Sequence, residues 1–355
     1  MQDLREPLIH TSAVPLRQRG LTLVEFMVAI ALGLILVAGM ATLIASQSNT
    51  RAVIDTSGAM IENGRYALSV LESDLQLAGY WGDVSTLPTA PATLPDPCDT
   101  SLAGLQAAIP VHVQGYSGLA TLPAVSPNLA SCLPGWVAGT DILVVRHLDT
   151  TEVATSATVT GGYVYMQTGL DAAGTALSYV VSALNATGVP GTGTFNLRKK
   201  DGSPASLRKY LTNIYYIRNL AADGTTALPS LWVSALSGDG TATVMTQTAI
   251  AENIENLQVD YAVDTDGDGA PNGAPVDGTA LIPVETVANK SAWPNVMGVT
   301  VSLLARTART VSGYTDSKSY QLGATATATP AANDGYQRHV FAQTVRLVNP
   351  SSRRM

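Results

Sequence analysis

Leu21 to Ala45 is an apolar run of 25 residues that carries one charge, Glu25. As a helix it would measure about 37 Å, enough to cross a hydrocarbon core of about 30 Å with some tilt. Arg17 and Arg19 stand just before it, and the first charge after it is Arg51. This bias of basic residues places the N-terminus in the cytoplasm and everything beyond about residue 48 outside. No other stretch is as long and as continuously apolar, so one crossing is expected. A cleavable secretory signal would have an apolar core of about 7–15 residues. The small pair Ser46 and Ser48 is a poor cleavage site of that type. Neither a signal peptide nor a plain anchor accounts for Glu25. A charge inside a bilayer is costly and marks a functional partner in most membrane segments. Nothing basic lies within the apolar run, but an amine created by cleavage after Gly20 would supply a cation.

At these residues the chain resembles a known family. Gly20 followed by LTLVEFMVAIALG is similar to the N-terminal signature of type IV prepilins. The resemblance implies that a prepilin peptidase cuts after Gly20 on the cytoplasmic face and that Leu21 becomes the N-methylated terminus. It also implies that Glu25 neutralises the amine of a neighbouring subunit during assembly. The chain departs from the family at Leu21, where Phe or Met is usual, which bears on methylation more than on cleavage.

The helical pattern continues. No proline occurs between Leu16 and Leu87, and Ile54, Ile61, Leu68 and Leu75 fall seven apart with Leu71 between the last two. One apolar stripe on a helix is expected, packed on a sheet, with Gly79 as the C-terminal cap. Gly33, Gly39, Gly58 and Gly64 lower helix propensity and are candidate points of bending or melting. Residues 82–135 are rich in Pro, Thr, Ala and Leu and read as irregular. Strand signals follow at 140–148, 162–168, 210–219, 230–236, 255–264, 295–306 and 338–348. The expected fold is α+β and pilin-like: one long N-terminal helix, half membrane-embedded and half amphipathic, packed on an antiparallel β-sheet head. The expected divisions are a cleaved leader at 1–20, a transmembrane half-helix at 21–46 and an amphipathic half at 47–80. A Pro-rich segment at 81–135, a β-rich head at 136–349 and a tail at 350–355 complete them.

The C-terminal strands resemble the PilW family of minor pilins, through NIENLQVDYAVDTDGDG, WPNVMGVTVSLLAR and YQRHVFAQTVRLVN. The two resemblances cover 17–81 and about 250–349. They imply a minor pilin of the type IV pilus, acting in initiation or in a tip complex and supporting twitching motility and adhesion. Implied partners are other minor pilins, the major pilin, the prepilin peptidase, the inner membrane before assembly and a tip adhesin. The implied location is the inner membrane, with the head in the periplasm, and then the pilus at the cell surface. A J-type minor pseudopilin of type II secretion shares the N-terminus and is the alternative. A membrane-tethered enzyme or binding protein is the third reading, and it needs a site that the sequence does not display.

A net charge of −7 argues against a general nucleic-acid binder, which needs a basic surface. Arg198, Lys199, Lys200, Arg208 and Lys209 form a modest basic cluster that reads as a solvated face. Cys98 and Cys132, the two cysteines, could close a disulfide if the region is periplasmic or could remain free buried thiols. His10, His112, His147 and His339 are scattered, and His147 and His339 are expected at surface or edge positions. No catalytic constellation is visible, so an enzyme is not expected. In DTDGDGAPNG, Asp264, Asp266 and Asp268 hold positions 1, 3 and 5 of a calcium loop with Gly269 at the sixth. Pro275 stands at the twelfth and cannot ligate, so Asp277 is the substitute. An Asp- and Gly-rich turn after a strand explains the same residues without a metal.

Overall fold

A computed structural model describes residues 20–354, apart from 85, 92, 124–125, 156–160, 185–194, 278–291, 325 and 329–333. The chain divides into two compact units, residues 1–54 and 55–355. The expected leader, with Arg17 and Arg19, lies outside the described residues except for Gly20.

The first unit is helical from Leu23, the start of α1 (Leu23–Leu77). Its described residues form no core of their own. Leu23, Phe26, Leu36, Met40 and Ile44 are all more than half exposed. This surface suits a lipid solvent, and α1 is long and apolar enough to cross a membrane. Its hydroxyls are satisfied inside the helix: Thr42 Oγ1 donates to Gly39 O at 2.8 Å and Thr50 Oγ1 to Ser46 O at 2.9 Å. That is what an apolar surrounding demands of polar groups.

In the second unit α1 buries Met60, Gly64, Ala67, Leu71 and Leu75, which lie four, three, four and four residues apart. This differs from the expected stripe. Ile54 and Ile61 are exposed, at 63% and 39%, while Leu71 and Leu75 are buried. A strict seven-residue spacing drifts about 20° per heptad around a straight helix, about 60° from Ile54 to Leu75, so the earlier members fall toward the flank of the face that Leu71 and Leu75 bury. The helix comes closest to the sheet through small residues. A Cβ on Gly64 would stand 2.2 Å from the Phe341 ring. Gly64 is thus a point of close packing within an unbroken helix. Gly79, at φ 71°, follows the helix in the left-handed conformation that favours glycine.

Seven antiparallel strands form the larger sheet: β1 (Val113–Tyr116), β2 (Ile142–Leu148), β3 (Val164–Leu170), β4 (Leu177–Ala183), β5 (Leu207–Asn219), β6 (Pro229–Gly238) and β7 (Thr243–Glu252). The long β5 organises it. One edge of β5 pairs with β2, and the other pairs with β3 near Leu207 and with β6 from Asn213 onward. The second sheet joins β8 (Ile254–Val263), β9 (Val276–Asp277), β10 (Val296–Arg306) and β13 (Arg338–Arg346), in the order β13-β10-β8-β9. A small hairpin, β11 (Tyr320–Leu322) and β12 (Ala326–Ala328), lies between β10 and β13 in the chain. All seven expected strands occur; β4, β7, β9, β11 and β12 were not anticipated, being short or diluted with Thr, Ser and Ala.

Strand alternation sends side chains to two cores. Tyr215 and Ile217 of β5 join Leu71 and Leu75 of α1 and Val299, Val301 and Leu303 of β10. Ile214 and Tyr216 point the other way, to Leu129, Leu133, Cys98 and Cys132. The segment expected to be irregular therefore covers the second face of the sheet, using α2 (Leu102–Ala108), β1 and α3 (Leu129–Cys132). Its scarcity of charge is what allows that cover. Asp141 pins the two sheets together: its N–H donates to Leu257 O at 2.8 Å, and its Oδ2 accepts Val259 N–H at 2.8 Å.

The expected tail is also structured. Residues Val348–Ser352 form α4, with Pro350 and Ser351 buried. Asn349 Nδ2 donates to Gln76 O at 3.2 Å and to Ala78 O at 3.3 Å, and Arg353 Nη2 donates to Gly79 O. The last turn of α1 has no basic residue of its own. Its unpaired carbonyls and the negative end of its dipole are satisfied by residues that follow more than 270 positions later.

Candidate functional site: the N-terminal turn and the polar clusters of the head

The start of α1 holds the residues on which the sequence reading turned. Thr22 donates its N–H to Glu25 Oε2 at 2.9 Å and its hydroxyl to the same oxygen at 2.9 Å. In return Glu25 N–H donates to Thr22 Oγ1 at 3.3 Å. This reciprocal pair is a capping box, and it satisfies two of the amide groups that a helix N-terminus leaves unpaired. Thr22 was missed as a functional partner in the sequence, although the Thr-x-x-Glu spacing is legible there. Glu25 Oε1 takes no hydrogen bond among the described residues. One carboxylate oxygen thus orders the first turn, and the other is left for an external donor. Gly20 stands in open space and Leu21 is 77% exposed, so the Gly20–Leu21 peptide bond is accessible.

In the head, Cys98 and Cys132 are both buried and joined as a disulfide, with Cα atoms 6.1 Å apart. Asp264, Asp266 and Asp268 each bring a carboxylate oxygen to within 4.8 Å of one another. Asp277 is not in that group; it stands on β9 opposite Asp260. The three carboxylates are largely occupied by the loop itself. Asp264 accepts from Gly267 N–H at 2.6 Å, from Gly269 N–H at 3.0 Å and from Arg354 Nη1 at 2.9 Å. Asp266 accepts from Asn272 Nδ2 at 3.1 Å and Asp268 from Ala270 N–H at 2.8 Å. Burial opposes the charge on Asp264, but these donors outweigh it and bring its pKa down to about 2. A cation could use the three carboxylates only in competition with Arg354.

His147 departs from its expected surface position. It is buried between β2 and α1, its Nε2 2.8 Å from Asp74 Oδ1 and its Nδ1 2.9 Å from Leu148 O. Both ring nitrogens face acceptors, which suits the doubly protonated ring. Asn213 Nδ2 also donates to Asp74 Oδ1, at 2.9 Å. His112 is buried as well, against Val296 O at 2.8 Å. Arg338 gathers three carboxylates, with Nε to Glu255 Oε2 at 2.5 Å, Nη1 to Asp316 Oδ2 at 2.9 Å, and Nη2 to Asp334. Among the described residues these clusters hold structure together and form no nucleophile–base arrangement.

Comparison with known proteins assigns the two ends of the chain. Residues 15–41 match the prokaryotic N-terminal methylation motif, and residues 214–349 match the family described as type IV pilus-assembly protein W. The chain thus carries a prepilin-type methylation motif and a PilW-family domain. The matched domain begins inside β5, takes in β6 to β13 and ends in α4. Among solved structures, a type IV-like pilin from Thermus thermophilus is similar at 13% identity and a TM-score of 0.32, over 82% of this chain and 97% of that one. No curated protein matches the chain.

Proposed function

We propose that this chain is a minor pilin that takes part in assembly of a type IV pilus, in an initiating or tip complex with other minor pilins. The observation that carries the reading is the N-terminal turn. An accessible bond after Gly20 precedes an exposed apolar helix, and Glu25 holds its own first turn through one oxygen while the other is unspent. Cleavage after Gly20 would free the Leu21 amine, and Glu25 Oε1 of a neighbouring subunit would receive it as the subunit leaves the membrane. The pairing is favoured in a low-dielectric surrounding, where an unpaired amine or carboxylate is costly. The match of residues 214–349 to the PilW family supports this reading over that of a J-type pseudopilin.

Mass spectrometry of the filament fraction tests the reading: the expected N-terminus is methylated Leu21, and an N-terminus at Met1 would refute it. Deletion of the gene should reduce surface pili and twitching and leave exoprotein secretion intact. Loss of secretion with normal pili would transfer the chain to the secretion system. Glu25→Ala should insert in the membrane as the parent does and fail to enter filaments.

A further inference from the structure

A cavity of about 230 Å³ opens in the head where α4 meets the end of α1. Four of its wall residues are prolines, Pro88, Pro110, Pro294 and Pro350, and two are arginines, Arg353 and Arg354. The arginines differ in their commitments. Arg354 is spent on Asp264 Oδ2 at 2.9 Å, on Pro294 O at 3.2 Å and on Asn295 Oδ1 at 2.5 Å. Arg353 gives one N–H to Gly79 O and pairs with no carboxylate among the described residues. Burial pulls its pKa down to about 10, so it is still a cation at neutral pH. His112, also in the wall, adds no charge of its own: burial, helped by the neighbouring arginines, pulls it to about 4 despite its bond to Val296 O. Among the described residues the Arg353 charge is therefore without a matching carboxylate, in a chain whose net charge is −7. A half-buried guanidinium that gives one N–H to a carbonyl has donors to spare for an acceptor brought from outside.

The walls narrow the choice of acceptor. Proline has no N–H, so four wall residues offer no backbone donor. A phosphate needs several converging donors, whereas a carboxylate is satisfied by the two parallel N–H groups of one guanidinium. The volume is below the roughly 300 Å³ at which small-molecule sites begin, and suits one or two side chains. The proline rings suit the methylene stem of such a side chain. We propose that this proline-walled pocket receives the carboxylate side chain of an extended acidic peptide of a partner protein, held by the Arg353 guanidinium. The site lies wholly in the head and does not depend on the assembly reading.

The test uses the full chain in detergent and two blocked peptides, acetyl-Ala-Glu-Ala-amide and its glutamine counterpart, followed by saturation-transfer NMR. The expected result is saturable binding of the glutamate peptide at millimolar concentration, about ten-fold tighter than the glutamine peptide. Arg353→Gln should abolish the difference. Arg353→Lys, which keeps the charge and the donor to Gly79 but loses the fork, should weaken it several-fold. The two-peptide comparison on the parent chain decides the matter even if a variant fails to fold. Equal binding of the two peptides, no binding at about 10 mM, or an undiminished preference in Arg353→Gln would overturn the proposal. Displacement of the peptide by inorganic phosphate at a lower concentration than by acetate would overturn the carboxylate assignment.

Discussion

Thr22 and Glu25 share one local job, and their substitutions should separate the two roles of the carboxylate. Thr22→Val removes the hydroxyl donor and the acceptor for Glu25 N–H but leaves the charge. It should slow entry into filaments without preventing it, while Glu25→Ala prevents it; immunoblots of sheared filaments check this, and equal defects would show that Glu25 acts only through the cap. At His147 the working group is the imidazolium. Burial lowers its pKa, but the Asp74 hydrogen bond and charge and the Leu148 carbonyl outweigh this, and the net shift is upward. A raised basic group gives stability that is fully present below the unfolded value, about 6.5, and is lost as pH rises through the folded value. The melting temperature of the head should therefore fall as pH rises above about 6.5, and His147→Gln should flatten that slope. Sequence alone could not have placed His147. Its neighbours in β2 read as a strand, but which face α1 covers depends on Asp74, 73 residues away.

At the scale of the element, α1 shows what periodicity resolves and what it misses. Its extent and its cap at Gly79 were legible, because a long span without proline and a following glycine are local signals. Its buried face was legible only at Leu71 and Leu75, because two of its five residues, Gly64 and Ala67, are too small to stand out in an apolar pattern. Gly64 is the clearest case. Alanine there would gain up to about 1 kcal/mol in helix propensity. It would also drive a methyl into the Phe341 ring, and overpacking of that kind costs about 1–3 kcal/mol. Gly64→Ala should be net destabilising in urea unfolding, and Gly64→Ala with Phe341→Leu should recover part of the loss. A Gly64→Ala protein as stable as the parent would show that the helix can shift away from β13. The strands follow the same rule: those rich in Val, Ile and Tyr were legible. Those of mixed small residues, such as β7, are strands because β6 offers an edge to pair with.

For the head as a whole, the Arg338 cluster is the main tie between distant parts of the chain. It joins Glu255 in β8 to Asp316 and Asp334 in the connection between β10 and β13, and Tyr320 adds its hydroxyl to Asp316 at 2.9 Å. Removing one member of a buried ion cluster leaves uncompensated charge, at a cost of about 3–5 kcal/mol. Arg338→Met should show that loss in urea unfolding, with the earliest amide exchange in residues 307–324. On Asp316, burial raises the pKa but Arg338 and Tyr320 outweigh it, and on Asp334 the Arg338 bond dominates, so both end below the usual range. Their contribution is present above about pH 4 and is lost as pH falls below it, so acid should loosen this connection first. None of this was legible beforehand, since Arg338 and its acids are spread over 83 residues. The membrane segment and the prepilin signature were, because both are contiguous.

The clamp of Asn349 and Arg353 on the end of α1 has a consequence in time. The helix made first carries carbonyls that are answered only by residues made at least 271 positions later. A chain cut short before Asn349 would lack the groups that close its founding helix. The fold thus closes only once α4 is made, and a chain without it would be exposed to proteases at its founding helix.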